Sequence, residues 1–175
     1  MIVAGFDPGI SGAACAISVS DMGTELVEII DLPTCPDGTK RQLDIAPLAA
    51  WIEKMAPDLA IIENVQPMMG NGSDSQAMMG ANSFRFGMVC GALRGLLGAY
   101  LVPWRLVTAK SWKTHYGLRG SDKEASRQMA LRMCPAAAPF LKRKLDHNRA
   151  DALLIALYGA AKSSPSGLSD LRPKK

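Results

Sequence analysis

Five short apolar runs, separated by turn signals and amphipathic stretches, leave this chain few architectures. Residues 2–6 (IVAGF) stop at Asp7-Pro8-Gly9, which reads as a strand running into a turn. Residues 13–19 (AACAISV) and 25–31 (ELVEIID) read as two more strands, with Asp21-Met22-Gly23-Thr24 suited to a hairpin between them. Residues 44–55 carry Leu48, Trp51, Ile52 and Met55 on one stripe, the spacing of a helix that Asp44 is placed to cap. Residues 58–62 (DLAII) predict a buried strand ending at Glu63. A long loop is expected over 64–80, a stretch of glycines, polar residues and four methionines. A helix is expected over 81–98, with small residues that permit close packing, and a fifth strand over 99–104 (AYLVPW). Helices follow around 108–116 and 121–134, the second with Ser121 and Glu124 spaced as a capping box, and a last one covers roughly 148–162. This order predicts an α/β domain, a mixed five-stranded sheet with helices on both faces. The expected domain spans 1–162, and the Ser-, Pro-, Gly- and Lys-containing tail, 163–175, is expected to be disordered.

A chain of 175 residues is long enough for one domain with a real core. No apolar stretch approaches the ~20 residues of a membrane span. The opening MIVAGFDPG lacks the basic start and long apolar core of a secretory signal, so the expected location is the cytoplasm or nucleoid, with no membrane partner. The cysteines at 15, 35, 90 and 134 have neither zinc-knuckle nor redox-pair spacing. The net charge of +4 conceals an asymmetry. Residues 1–104 hold 5 basic and 11 acidic residues, net −6; residues 105–175 hold 15 and 5, net +10. A concentrated basic half is the footprint of a phosphate-rich partner, although a solvated surface has the same composition.

Three acids stand where chemistry could use them. Asp7 follows the first strand, Glu63 follows the fourth, and Asp151 begins the apolar helix ADALLIALYGAA. If those strands are neighbours, Asp7 and Glu63 emerge at one sheet edge and the last helix can deliver Asp151 beside them. Clustered carboxylates repel unless a cation neutralises them, and hard oxygen donors favour Mg²⁺ or Mn²⁺. Two such ions would activate a water and stabilise the leaving oxygen in phosphodiester hydrolysis. Each acid alone has an ordinary explanation: a turn former before Pro-Gly, a solvated strand end, a helix-start residue. Together they favour function. His147 lies four residues before Asp151 and shares its helix face, where it could bind metal or handle a proton. Asp146 could be a further ligand, but its place just before the last helix favours a cap, with His147 for the chemistry.

At these residues the chain resembles the RuvC-type Holliday junction resolvases. GFDPGISGAACAI looks like their first strand and hairpin, LAIIENVQPM like their second acidic strand, and HNRADALLIALYG like their last helix. VTAKSWKTHYGLRGSDKEASRQMA is similar to the segment between them. The resemblance runs from residue 1 to about 160, and its specificity lies in the order and spacing of short motifs. It implies an RNase H-like fold and a homodimer that symmetrically nicks four-way DNA junctions with Mg²⁺ or Mn²⁺, two ions per site. Carried over, Asp7, Glu63 and Asp151 match the metal-binding acids and His147 the fourth position. Some relatives space the last pair by three, which would select Asn148, so the fourth ligand stays open. Lys110 and Lys113 match basic positions near the scissile phosphate, and with Arg119, Lys123 and Arg127 they would neutralise backbone charge. Trp112 reads as core rather than as a base-stacking residue. Gln66, Met68 and Met69 occupy the loop that in the family enters the junction core, where an apolar wedge replaces lost base stacking. By the same analogy, helix 81–98 is the dimer interface.

Three other readings compete. An RNase H-like nuclease for flap, other branched or RNA-containing substrates would share the acids. DPGISG also resembles a phosphate-binding hairpin of actin-like ATPases, but 175 residues leave no room for the second large domain they need. A noncatalytic DNA-binding module would use only the basic half and leave the converging acids unexplained.

Overall fold

The structure, a computed structural model, describes residues 1–64 and 73–163, with backbone alone for 73–82 and 123. Its centre is a five-stranded sheet of β1 (Ile2–Asp7), β2 (Ala13–Ser20), β3 (Gly23–Asp31), β6 (Leu59–Asn64) and β7 (Trp104–Thr108). The strand order is β3-β2-β1-β6-β7. The first three strands form an antiparallel meander, while β6 runs parallel to β1 and β7 parallel to β6. The sheet is therefore mixed and five-stranded, as expected.

Both faces are covered. Alternation along the central strands divides the core in two. Val3, Leu59 and Ile61 face α5 (His147–Ser163), together with Trp112 of α3 (Ala109–His115) and Ala130 of α4 (Lys123–Met133). Ala4, Phe6, Ala60 and Ile62 face α1 (Ile45–Met55) and α2 (Ser73–Ala99). The predicted stripe Leu48, Trp51, Ile52 and Met55 is the buried face of α1. Among the described residues no helix is long and apolar enough to cross a membrane.

Several local expectations are corrected. Residues 99–104 are not the fifth strand. Helix α2 runs to Ala99, the chain reverses at Leu101 (φ 55°), and pairing begins only at Trp104. Periodicity cannot separate a short apolar strand from the last turn of a helix. Residues 73–80, placed in the long loop, are the first turns of α2. A hairpin of β4 (Thr34–Asp37) and β5 (Lys40–Leu43) was not anticipated, although Asp37-Gly38, with Gly38 at φ 59°, is a hairpin signature. Asp44 occupies the first position before α1 without bonding its backbone, and α4 is capped by Asp122, which accepts from Ala125 N at 2.9 Å, rather than by Ser121. The expected tail lies beyond the described residues, except for Ser163, which ends α5.

Candidate active site

The register of β1 and β6 builds the site. Phe6 pairs with Ile62, so the next residues, Asp7 and Glu63, stand side by side at the same end of neighbouring parallel strands. Both fall on the α5 face, two positions beyond Gly5 and Ile61. α5 crosses that face in close contact. A methyl group on Gly5 would meet Ala152 O at 2.3 Å and Ala156 N at 2.4 Å. The missing side chain thus lets helix backbone lie directly on strand backbone, and this brings the first turns of α5 to the acids.

The start of α5 is tied down from several directions. Arg149 forms a two-pronged ion pair with Asp31 at the end of β3 and also donates to Phe140 O at 3.2 Å. Asn148 donates to Ser11 O in the β1–β2 turn. Asp146 is not a simple helix cap. It is buried in the 3₁₀ turn Lys144–Asp146 and accepts from Arg143 N at 2.8 Å, Nε at 3.0 Å and Nη2 at 2.7 Å. These bonds, the Arg143 side chain above all, hold its carboxyl below the ordinary 3.8.

A cavity of about 170 Å³ opens at this point, lined by Asp7, Asp151, His147 and Asn148 with Lys113 at its wall. Glu63 stands behind that lining and is only 7% exposed. The fully buried Trp112 donates from Nε1 to Glu63 Oε1 at 3.1 Å. Burial pushes the Glu63 carboxyl above its usual 4.5, and the charge of Asp151 adds to that; the Trp112 bond, the Lys113 charge and a hydrogen bond with Asp7 pull it down. The expectation that Trp112 belongs to the core holds, but its indole also orients an acid. Nothing in its spacing signals this, since the two residues are 49 apart. Asp122 and Ser126 line the same cavity and were not singled out from sequence; Ser121, read there only as a helix cap, lines it too.

The donor set suits a hard divalent cation: three acids share one electrostatic neighbourhood, and two of them are in hydrogen-bond contact, which needs a shared proton or a cation. Among the described residues, no three His, Cys, Asp or Glu side chains stand as a ready-made ligand cage. His147 Nδ1 lies 3.3 Å from Lys144 O while the ring borders the cavity.

The basic residues divide. Lys113 is half-buried at the cavity with its ammonium 5.1 Å from the Trp112 ring centre. Lys110 and Arg119 are exposed nearby in sequence, on α3 and on the turn after it. Lys123 opens α4 in the backbone description alone. Arg127 is committed within the fold, pairing with Glu124 and donating to Leu141 O at 2.8 Å. Gln66, Met68 and Met69 lie outside the described residues.

No family model matches the chain. A 60-residue segment, 34% of the chain, is 43% identical to the chloroplastic Holliday junction resolvase MOC1 of Chlamydomonas reinhardtii, of which it spans 7%. The whole fold is similar to T. thermophilus RuvC solved with a Holliday junction substrate: TM-score 0.65 at 19% identity, over 95% of this chain and 98% of that one. It is also similar to Ydc2, the yeast mitochondrial Holliday junction resolvase: TM-score 0.57 at 19% identity, over 88% of this chain and 75% of that one. The β3-β2-β1-β6-β7 sheet, with α5 on one face and α1 and α2 on the other, is thus the RNase H-like fold of RuvC and Ydc2.

Proposed function

We propose that this chain is a metal-dependent endonuclease that nicks four-way DNA junctions symmetrically as a homodimer. The observation that carries this reading is the meeting of Asp7, Glu63 and Asp151, from two adjacent parallel strands and one helix, beside a cavity with a lysine at its wall. The segment identity with MOC1, a named resolvase, supports the choice of substrate.

Asp7, Glu63 and Asp151 would hold Mg²⁺ or Mn²⁺, with His147 or Asn148 completing the set. When bound, such ions supply an activated water and a charge clamp on the leaving oxygen. The chain's own residues do the rest. Lys113 neutralises the phosphate that enters the cavity, and Lys110, Arg119 and Lys123 hold the flanking backbone. His147, at the cavity and within reach of solvent, takes or returns a proton. Trp112 keeps Glu63 aimed at the site. Gln66, Met68 and Met69 are the residues that would enter the junction core.

The dimer reading rests on α2. Gly87, Gly91, Gly95 and Gly98 lie on one exposed face, and among the described residues nothing comes within 4 Å of a methyl group added at any of them. Such a face lets a second helix approach closely, and two-fold pairing would match the symmetry of a junction.

The test is cleavage of a synthetic four-way junction beside a duplex and a flap, with Mg²⁺ and with EDTA. Paired nicks in the junction alone, abolished by EDTA, are expected. Preference for the flap transfers the same site to a broader nuclease, and no cleavage of any substrate leaves a binding module. Sedimentation should give a dimer that Gly91→Leu weakens.

A further inference from the structure

A cavity of about 490 Å³ lies between the β4–β5 hairpin and α2, and none of the three acids lines it. Its apolar wall includes Phe84 and Met88, and its charged lining is Lys40, Arg41 and Arg85, with Asp37 as the one acid. The imbalance is informative because residues 1–104 are net acidic and hold only five basic residues, three of which line this cavity. A second, adjoining cavity is lined by Arg41 and Arg85 again, now with Gly9 and Ile10 of the β1–β2 turn.

We propose that Arg41 and Arg85 form a second binding site for nucleic-acid backbone, on the α2 side of the β1–β2 turn. This rests on the nuclease reading above. Three observations support it. Arg41 is pre-positioned: its Nε donates to Thr34 Oγ1 at 2.7 Å and its Nη2 to Thr34 O at 2.6 Å, and the residue lines both cavities. Among the described residues neither guanidinium has a carboxylate in salt-bridge distance, whereas Arg127, Arg143 and Arg149 all do. The site is also close to the acids, because Ile10 is three residues from Asp7, at most about 10 Å of chain. A strand cleaved beside Asp7 could therefore continue over the β1–β2 turn toward Arg41 and Arg85, which share a cavity with Ile10. The guanidinium fork suits phosphate oxygens. Lys113 and Arg119 would hold the backbone on the α5 side, so the substrate would straddle the turn.

The test measures affinity for a labelled four-way junction and a labelled linear duplex across a KCl series in metal-free buffer. Proteins compared are wild type, Arg85→Gln, Arg85→Lys and the double variant Arg41→Gln/Arg85→Gln. Each lost phosphate contact should lower the slope of log K against log salt by about 0.9. The expected results are a loss of about 1 for Arg85→Gln, about 2 for the double variant, and none for Arg85→Lys. Because Arg41 also braces the hairpin, Arg85→Gln, which removes no internal bond, decides the matter if the double variant melts early. An unchanged slope in Arg85→Gln overturns the proposal, as does a change of oligomeric state without a change of slope, which would make the groove an interface between copies. Equal affinity of the wild type for junction and duplex would sink the junction reading while a reduced slope still upheld this site. No DNA binding by the wild type would remove both.

Discussion

Two glycine-bearing helices cover the two faces of the sheet and use the residue in opposite ways. On the α5 face, Gly5 is filled space: an added methyl group would run into the backbone of Ala152 and Ala156. Gly159 of α5 itself is equally closed, with Ile61 Cγ1 at 2.2 Å from the same hypothetical atom. On α2, Gly87, Gly91, Gly95 and Gly98 meet nothing among the described residues. The first arrangement is internal and makes a site, because strand and helix backbones must touch for Asp151 to reach Asp7 and Glu63. The second gains no packing from the described residues, although glycine in a helix costs roughly 0.5–1 kcal/mol against alanine.

Asp151→Asn removes chemistry from the closed face while nearly preserving its shape, and cleavage should fall on the order of 10³-fold or more with junction binding retained. Parallel loss of binding would count against a catalytic acid. Trp112→Phe keeps a ring in the core but deletes the donor to Glu63. Its expected signature is a roughly 10–100-fold rise in the Mg²⁺ concentration needed for half-maximal cleavage, the range for lost support of a metal ligand. An unchanged Mg²⁺ requirement would reduce Trp112 to packing.

The glycines test the comparison directly in urea melts at low protein concentration. Gly5→Ala should destabilise by about 1–3 kcal/mol, as overpacking does. Gly91→Ala should stabilise the monomer by roughly 0.5–1 kcal/mol, because the helix gains and nothing is displaced. Equal signs would end the distinction. The smallest effect concerns Asp146, whose carboxyl is held below 3.8 chiefly by the Arg143 side chain. A depressed carboxylate stabilises the fold above its unfolded value, and that contribution is lost as pH falls through the lower folded value. Asp146→Asn should therefore be less stable than wild type near neutrality, with the gap closing in melts below pH 3.8.

Much of this was legible along the chain. Strands β1 to β3, the stripe of α1 and the four later helices follow from alternation, periodicity and turn residues, because those signals arise from contacts a few residues apart. The acids were legible as residues at the right ends of elements. The fifth strand was misread because four to six apolar residues satisfy helix and strand patterns alike, and the β4–β5 hairpin was missed because its strands, TCPD and KRQL, carry almost no apolar residues to read. Asp146 looked like a cap because its neighbours in sequence are helical, yet burial beside Arg143 makes it a brace.

Residue types and local spacing were enough to determine the elements, the concentration of positive charge after residue 104 and which carboxylates were available. The parallel pairing of β1 with β6, the indole bond to Glu63, the Asn148 tie across to Ser11 and the gathering of Lys40, Arg41 and Arg85 were decided only in three dimensions. Such contacts join residues 40 to 140 positions apart. Their free energy comes from packing the whole sheet between its helices, and no window of local propensity contains it.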